Sequence, residues 1–160
     1  MRGYFFKSLT GFSLILLFSI LFSCGKKCNP EFVGTRDSGD IVANSKIKPI
    51  SGGLLGNFPN KLTINAAHPY SDKISYSIND SEFEPVDYNQ YSVLAYPLTV
   101  NTCAGIEREV TIDNTAQTVL YKIKISQCGD SPESVYLENY VLVPNIDGYQ
   151  VTREVEYNNI

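Results

Sequence analysis

Residues 107–125, EREVTIDNTAQTVLYKIKI, contain two runs in which polar and apolar side chains alternate. The first run ends at Ile112, and the second begins near Gln117. Alternation with a period of two is typical of a β-strand with one buried and one solvated face. Between the runs, Asp113-Asn114-Thr115 supplies residue types that favour a turn. The stretch therefore predicts an antiparallel hairpin of two half-buried strands.

The same alternation recurs on both sides of this hairpin. Pro144-Asn145-Ile146-Asp147-Gly148 predicts a second hairpin, in which Gly148 has a positive φ. After residue 24, no stretch longer than a turn has helical periodicity. We therefore expect an all-β domain folded as an antiparallel β-sandwich, with a small closed barrel as the alternative. Further strands are predicted within residues 61–66, 73–78, 91–96, 97–103, 134–143 and 149–157.

One part of the predicted sheet is similar to a known repeat. Ile74-Ser75-Tyr76-Ser77-Ile78-Asn79-Asp80 and Pro97-Leu98-Thr99-Val100 follow the order of a "YSIDG…YTV" pattern. In this respect residues 74–100 resemble the immunoglobulin-like repeats of bacterial surface adhesins, although Ser81 replaces the turn glycine. The resemblance implies an immunoglobulin-like sandwich and assigns no functional residue.

The first 24 residues have the layout of a bacterial export signal. Basic residues precede an uncharged apolar run from Leu14 to Phe22, shorter than the roughly 20 residues that a transmembrane helix needs. Leu21-Phe22-Ser23-Cys24 resembles the lipobox of bacterial lipoproteins, whose cysteine receives a lipid and becomes the mature N-terminus. The resemblance implies that residues 1–23 are a cleaved type II signal peptide and that Cys24 carries the lipid. An ordinary secretory signal, with Cys24 free or disulfide-bonded, is the alternative.

Lipidation at Cys24 implies a protein held at the cell envelope. Gly25 stands where lipoproteins retained at the inner membrane often carry aspartate, which implies transfer to the outer membrane. The next residues, Lys26 and Lys27, replace the acidic cluster that some lineages use for surface export. This favours the periplasmic side of the outer membrane over the cell surface.

Composition and charge limit the domain organisation and the class of partner expected for the mature chain. Residues 24–45 are polar and rich in Gly, Asp and Ser, and they predict a flexible tether. Residues 46–160 then form one domain of ordinary size. Removal of residues 1–23 takes away two basic residues and no acid, which leaves 11 basic against 17 acidic side chains, a net charge of −6. An acidic domain without a basic stripe argues against nucleic acid as a partner.

The cysteines predict one disulfide. If Cys24 carries lipid, three cysteines remain, so one is unpaired or pairs between molecules. Cys103 and Cys128 follow predicted strands that end at the same side of the domain, and we predict a bridge between them. It requires those strands to curl together or to lie on facing sheets, because bridged Cα atoms lie within about 7 Å. The state of Cys28 stays open. Without a CxxC pair, no metal site is predicted.

Candidates for catalysis and ion binding are few. The carboxylates within residues 79–87 would suit Ca²⁺, but their alternation around Phe83 favours the solvated face of a strand. The single histidine, His68, precedes Pro69 and has no nucleophile motif beside it. We therefore predict no catalytic residue and no cofactor, and we expect that the protein is not an enzyme.

Tyrosine is abundant, with 11 in the chain. Tyr88, Tyr91 and Tyr96 lie close together in sequence without a clean alternation that would bury them. Exposed tyrosines can stack on sugars or anchor a protein partner, whereas the alternative is that they fill the sheet. We predict that these three residues form a binding surface. The expected function is a non-catalytic, membrane-anchored interaction module for an envelope protein or a glycan. A lipoprotein inhibitor or immunity factor against an envelope enzyme or toxin is the alternative.

Overall fold

The computed structural model describes residues 33–50, 61–127, 133–137 and 139–159. Within these ranges the chain forms twelve β-strands and a short 3-10 turn at Ser71–Lys73. The strands are β1 Gly34–Gly39, β2 Ser45–Pro49, β3 Leu62–Ile64, β4 Ile74–Ile78, β5 Glu84–Pro85, β6 Tyr91–Ala95, β7 Leu98–Asn101, β8 Gly105–Asp113, β9 Thr118–Gln127, β10 Ser134–Leu137, β11 Tyr140–Pro144 and β12 Gln150–Asn159.

The hairpin of residues 107–125 is the centre of a four-stranded sheet, which we call the first sheet. Its strand order is β1-β8-β9-β12. β8 and β9 are antiparallel, with Val110 opposite Tyr121 and Asp113 opposite Thr118, so the predicted hairpin is confirmed. β1 lies parallel to β8, and β12 lies parallel to β9. The first sheet is thus antiparallel at its centre and parallel at both edges.

Charges of opposite sign alternate across the outer face of the first sheet. One row crosses the four strands as Arg36, Glu107, Lys124 and Glu156, each opposite the next. Lys122 Nζ lies 2.8 Å from Glu156 Oε1, and this hydrogen bond raises the pKa of Lys122 and lowers that of Glu156. Facing opposite charges stabilise this register, whereas a one-residue slip would turn the polar side chains toward the core.

A three-stranded sheet, β11-β6-β3, lies against the inner face of the first sheet, and we call it the middle sheet. Side chains of β6 alternate between two apolar clusters. Leu94 joins the first cluster, which includes Tyr121 of the first sheet. Val93 joins the second cluster, which includes Ile74 of a third sheet, β2-β4-β5. The middle sheet is therefore buried on both faces, which explains its nearly continuous apolar strands. The pair β7-β10 adds Leu98 to the first cluster.

The hairpin predicted across residues 144–148 is wrong, although Gly148 has the predicted positive φ, 81°. β11 pairs with β6, and β12 pairs with β9. β11 is buried at four successive positions, which suits the middle sheet. β12 alternates and packs one side, at Val151 and Val155, against the first cluster. The two strands differ in burial pattern and therefore lie in different layers.

The predicted all-β fold class is confirmed, and none of the sheets formed by the described residues closes into a barrel. The finer prediction of an immunoglobulin-like sandwich is not confirmed, because the described strands form four sheets that enclose two separate apolar clusters. The third sheet adjoins the middle sheet, where Val42 N donates a hydrogen bond to Leu142 O at 2.9 Å. Within the same ranges, no helix has the length and apolar character needed to cross a membrane.

The folded part of the chain begins earlier than predicted. The predicted tether covers residues 24–45, but residues 34–39 form β1 along β8, and Ile41 is buried in the first cluster. The sequence of β1, GTRDSG, has no apolar residue and therefore no alternation to detect. Backbone pairing and the contact of Asp37 with Arg108 hold it in place. The predicted signal peptide, residues 1–23, lies outside the described residues.

Candidate functional site

The three tyrosines predicted as a binding surface do not lie on one surface. Tyr91 is the first residue of β6 and Tyr96 follows its last, so roughly 17 Å of strand separates them. Tyr91 packs against the second cluster and Tyr96 against the first, on opposite faces of the middle sheet. Because successive side chains of a strand point to opposite faces, two residues separated by an odd number of positions, such as Tyr91 and Tyr96, lie on opposite faces. A role of either tyrosine in binding stays a prediction.

Tyr88 lies in the turn before β6 and packs against the second cluster. Its hydroxyl is buried without a hydrogen-bond partner, and burial raises the pKa of Tyr88 to about 12. The Asp87 carboxylate accepts hydrogen bonds from Asn89 N at 3.0 Å and Gln90 Nε2 at 2.6 Å, which lower the pKa of Asp87. The Asp87 carboxylate is therefore satisfied within the turn, whereas the Tyr88 hydroxyl is not.

The acidic segment, residues 79–87, connects β4 to β5 and continues past it. Asn79 and Asp80 have φ angles of 53° and 59°, as a tight type I′ hairpin turn requires. Lys46 Nζ forms an ion pair with Asp80. The described ranges contain no group of three or more His, Cys, Asp or Glu side chains that could hold a metal ion.

A different group of aromatic and cationic side chains lies where the first and middle sheets meet at their edges. Arg153 reaches from β12 to β3, where its Nη2 donates a hydrogen bond to Thr63 Oγ1 at 2.6 Å. Lys61, the residue before β3, places its Nζ 4.8 Å from the centre of the Tyr96 ring. We call Lys61, Thr63, Tyr96 and Arg153 the Arg153 surface.

Arg153 has no carboxylate partner among the described residues. Its Nε is buried without a hydrogen-bond acceptor. Burial lowers the pKa of the Arg153 guanidinium, and the phenols of Tyr121 and Tyr96 oppose this effect. A buried donor without a partner costs about 1–3 kcal/mol, and more in a charged group. Such a cation beside an exposed lysine is an arrangement that an incoming anion would neutralise.

Arg108 shows the opposite arrangement, although its side chain also points inward. Its Nε and Nη2 donate to the two carboxylate oxygens of Asp37 at 2.6 and 2.7 Å. Its Nη1 donates to Asn139 Oδ1, and Asn139 Nδ2 donates in turn to the buried Tyr121 hydroxyl, both at 2.8 Å. Burial raises the pKa of Tyr121 to about 12. Because this network is paired throughout, its role is structural: it joins β1 and β8 to the middle sheet.

The sequence interpretation missed Arg153, although a signal is present. In VTREV, residues 151–155, the arginine occupies the inward position between two valines. A charged residue on the apolar side of an alternating strand is unusual and marks a pairing or binding role. Lys61 and Tyr96 lie far apart in the chain and meet because Leu62 pairs with Ala95, so no local pattern could place them together.

Cys103 is disulfide-bonded, and its partner lies outside the described residues. The pairing with Cys128 therefore stays a prediction. The predicted lipidation site Cys24 also lies outside the described residues.

At the Arg153 surface, two cations and an aromatic ring meet without a carboxylate from the described residues. Comparisons of the chain with protein-family models, with curated proteins and with solved structures found no match.

Proposed function

We propose that this protein is a non-catalytic lipoprotein of the cell envelope that acts as an interaction module. Its anchor is a lipid on Cys24 in the outer membrane, with the domain on the periplasmic side, and its partner is an envelope protein or a glycan. The lipobox Leu21-Phe22-Ser23-Cys24 supports the anchor. The observation that carries the interaction role is the Arg153 surface, where a half-buried arginine lacks a counter-charge from the described part of the chain.

The residue types of the Arg153 surface suit binding. Arginine and tyrosine are enriched among the residues that dominate binding energy at interfaces. On a mature chain of net charge −6, two neighbouring cations give a local positive potential that would orient an acidic partner. A guanidinium also donates parallel hydrogen bonds to a carboxylate. We therefore expect the partner to contribute a carboxylate, from an acidic side chain or an acidic sugar.

Replacing Arg153 with methionine is expected to weaken partner capture about tenfold or more, because a charged hydrogen-bonding group is lost. Tagged wild-type and Arg153→Met chains would be used to capture partners from detergent-solubilised envelopes, with bound proteins and sugars identified by mass spectrometry. The melting temperature of Arg153→Met should change little, since methionine keeps much of the packed stem and removes the unpaired N–H, which offsets the lost hydrogen bond to Thr63.

The matched control is Lys124→Met, which removes a cation from the outer face of β9. This variant should capture the partner as the wild type does. Equal capture by the wild type and Arg153→Met would contradict the role of the Arg153 surface. Equal losses in both variants would also contradict it, since net charge alone would then explain binding.

Replacing Cys24 with alanine is expected to abolish lipid attachment and to leave an uncleaved precursor, because lipidation precedes cleavage in the lipoprotein pathway. Cells expressing each chain would be grown with radiolabelled palmitate, and the protein would be immunoprecipitated. Cys28→Ala is the control and should label normally, since the lipobox ends at Cys24. Equal palmitate labelling of the wild type and Cys24→Ala would contradict the anchor.

A further inference from the structure

The folded domain meets the chain that leads to Cys24 at one defined end. β1 and β8 begin at this end, with Gly34 and Gly105. β7 ends beside them at Asn101, whose carbonyl oxygen accepts a hydrogen bond from Ala104 N, the residue before β8, at 3.0 Å. We call this side of the domain the anchor end. It is marked by a row of facing residues, one from each strand of the first sheet: Gly34, Gly105, Ser126 and Asn158.

The distance from the lipid to the anchor end is short. Gly34 is the tenth residue after Cys24. Even a fully extended chain spans at most about 3.5 Å per residue, so the anchor end stays within roughly 35 Å of a lipid on Cys24. The nine residues of β8 span about 30 Å, a similar length. The anchor end is therefore the part of the domain that reaches a bilayer most readily.

Exposed apolar side chains concentrate at the anchor end. Val33 precedes Gly34, and Tyr157 precedes Asn158, while Val135 and Tyr136 follow Ser134, which pairs with Asn101. A group of exposed apolar side chains is typical of a surface that contacts a membrane or a protein. Seven large hydrophobic side chains are exposed among the described residues, and four of them lie here: Val33 (60%), Val135 (40%), Tyr136 (47%) and Tyr157 (52%).

We propose that the anchor end rests on the bilayer surface, with these four side chains in the headgroup region. This inference rests on the proposed lipid anchor at Cys24. Tyrosine suits the headgroup region because its ring is apolar and its hydroxyl stays hydrated. Lys26 and Lys27, between the anchor and the domain in sequence, add attraction to anionic phospholipids. The turn between β8 and β9 then points away from the membrane, and the Arg153 surface lies roughly 13 Å along β12 from Tyr157, open to a partner from the side.

Single tryptophans test this orientation, because the chain contains none of its own. Tyr157→Trp places an indole at the anchor end, and Thr115→Trp places one at the exposed tip of the β8–β9 turn. Full-length lipidated chains would be purified from bacterial membranes in detergent and reconstituted into vesicles of phosphatidylethanolamine and phosphatidylglycerol. Half of the preparations would contain brominated acyl chains, which quench indole fluorescence on contact. Circular dichroism would check that each variant is folded.

Brominated vesicles are expected to reduce the emission of the Tyr157→Trp variant about twofold and to leave that of Thr115→Trp unchanged. Flotation of the vesicles in a density gradient measures the anchor separately. A chain that does not float overturns the lipid anchor and the orientation with it. A chain that floats without quenching in Tyr157→Trp, or with equal quenching in both variants, overturns the orientation and leaves the anchor in place.

Discussion

Replacing Gly39 with alanine is expected to lower the free energy of unfolding by about 3 kcal/mol or more. Gly39 ends β1 with a φ of 71°, a conformation that costs a residue with a Cβ about 1–2 kcal/mol. The added Cβ would also overlap the Val110 carbonyl oxygen and lie 3.1 Å from its carbonyl carbon. Because these are backbone atoms of β8, the clash can be relieved only by moving β1 away from the first sheet.

The variant Gly148→Ala separates the cost of the positive φ from the cost of the steric clash. Gly148 has a φ of 81°, but no atom lies within 4 Å of an added Cβ, so its cost should be the conformational one, about 1 kcal/mol. Urea unfolding followed by circular dichroism measures both variants. Equal losses of stability in Gly39→Ala and Gly148→Ala would contradict the close packing of β1 on β8.

Replacing Arg108 with alanine is expected to lower the free energy of unfolding by about 2–3 kcal/mol, because the largely buried guanidinium is lost from a partly exposed ion pair and from two buried acceptors. The Arg108 side chain is 15% exposed and that of Asp37 is 33% exposed. Without the guanidinium, the Asp37 carboxylate loses both of its hydrogen bonds, and Asn139 Oδ1 and Tyr140 O each lose a donor. Most of the loss comes from Asn139 and Tyr140, because both are buried and water cannot readily replace the lost donor, whereas the partly exposed Asp37 carboxylate can be hydrated.

A double-mutant cycle isolates the pair. The variant with both Arg108→Ala and Asp37→Ala should lose less stability than the two single losses together, by about 1 kcal/mol or more, because the second change removes an unpaired charge. Arg36→Ala, on the solvated face of β1, is the control and should change stability by no more than about 0.5 kcal/mol. Additive single losses would contradict a coupled network.

The predicted strands fall into two groups that show what a local pattern can reveal. β8 and β9 were predictable because each has one buried face, at positions such as Val110 and Tyr121, and one charged face. β1 was not, because its six residues are all exposed and it is held by pairing with β8 and by Asp37. The tether predicted over residues 24–45 therefore extends too far, because a polar stretch can be held in a sheet by backbone pairing alone.

The candidate site was less predictable than the strands. Closeness in sequence suggested that Tyr88, Tyr91 and Tyr96 form one surface, but the structure directs them to two clusters on opposite sides of the middle sheet. Tyr96 instead lies beside Lys61, and near Arg153 across the gap between two sheets. The sequence shows an arginine at an inward position of β12. It does not show that no carboxylate of the described residues pairs with this arginine.

The sequence by itself determined the all-β class, the β8–β9 hairpin and the positive φ of Gly148, because alternation, turn chemistry and backbone sterics act over a few neighbouring residues. The tertiary structure decided how the sheets enclose two apolar clusters, the parallel edges formed by β1 and β12, and the meeting of Lys61, Tyr96 and Arg153. These features depend on which distant strands bury their faces together. β11 is apolar at successive positions and lies in the middle sheet, whereas β12 has one apolar side and lies at an edge, and this difference in burial carries Arg153 to the border of two sheets.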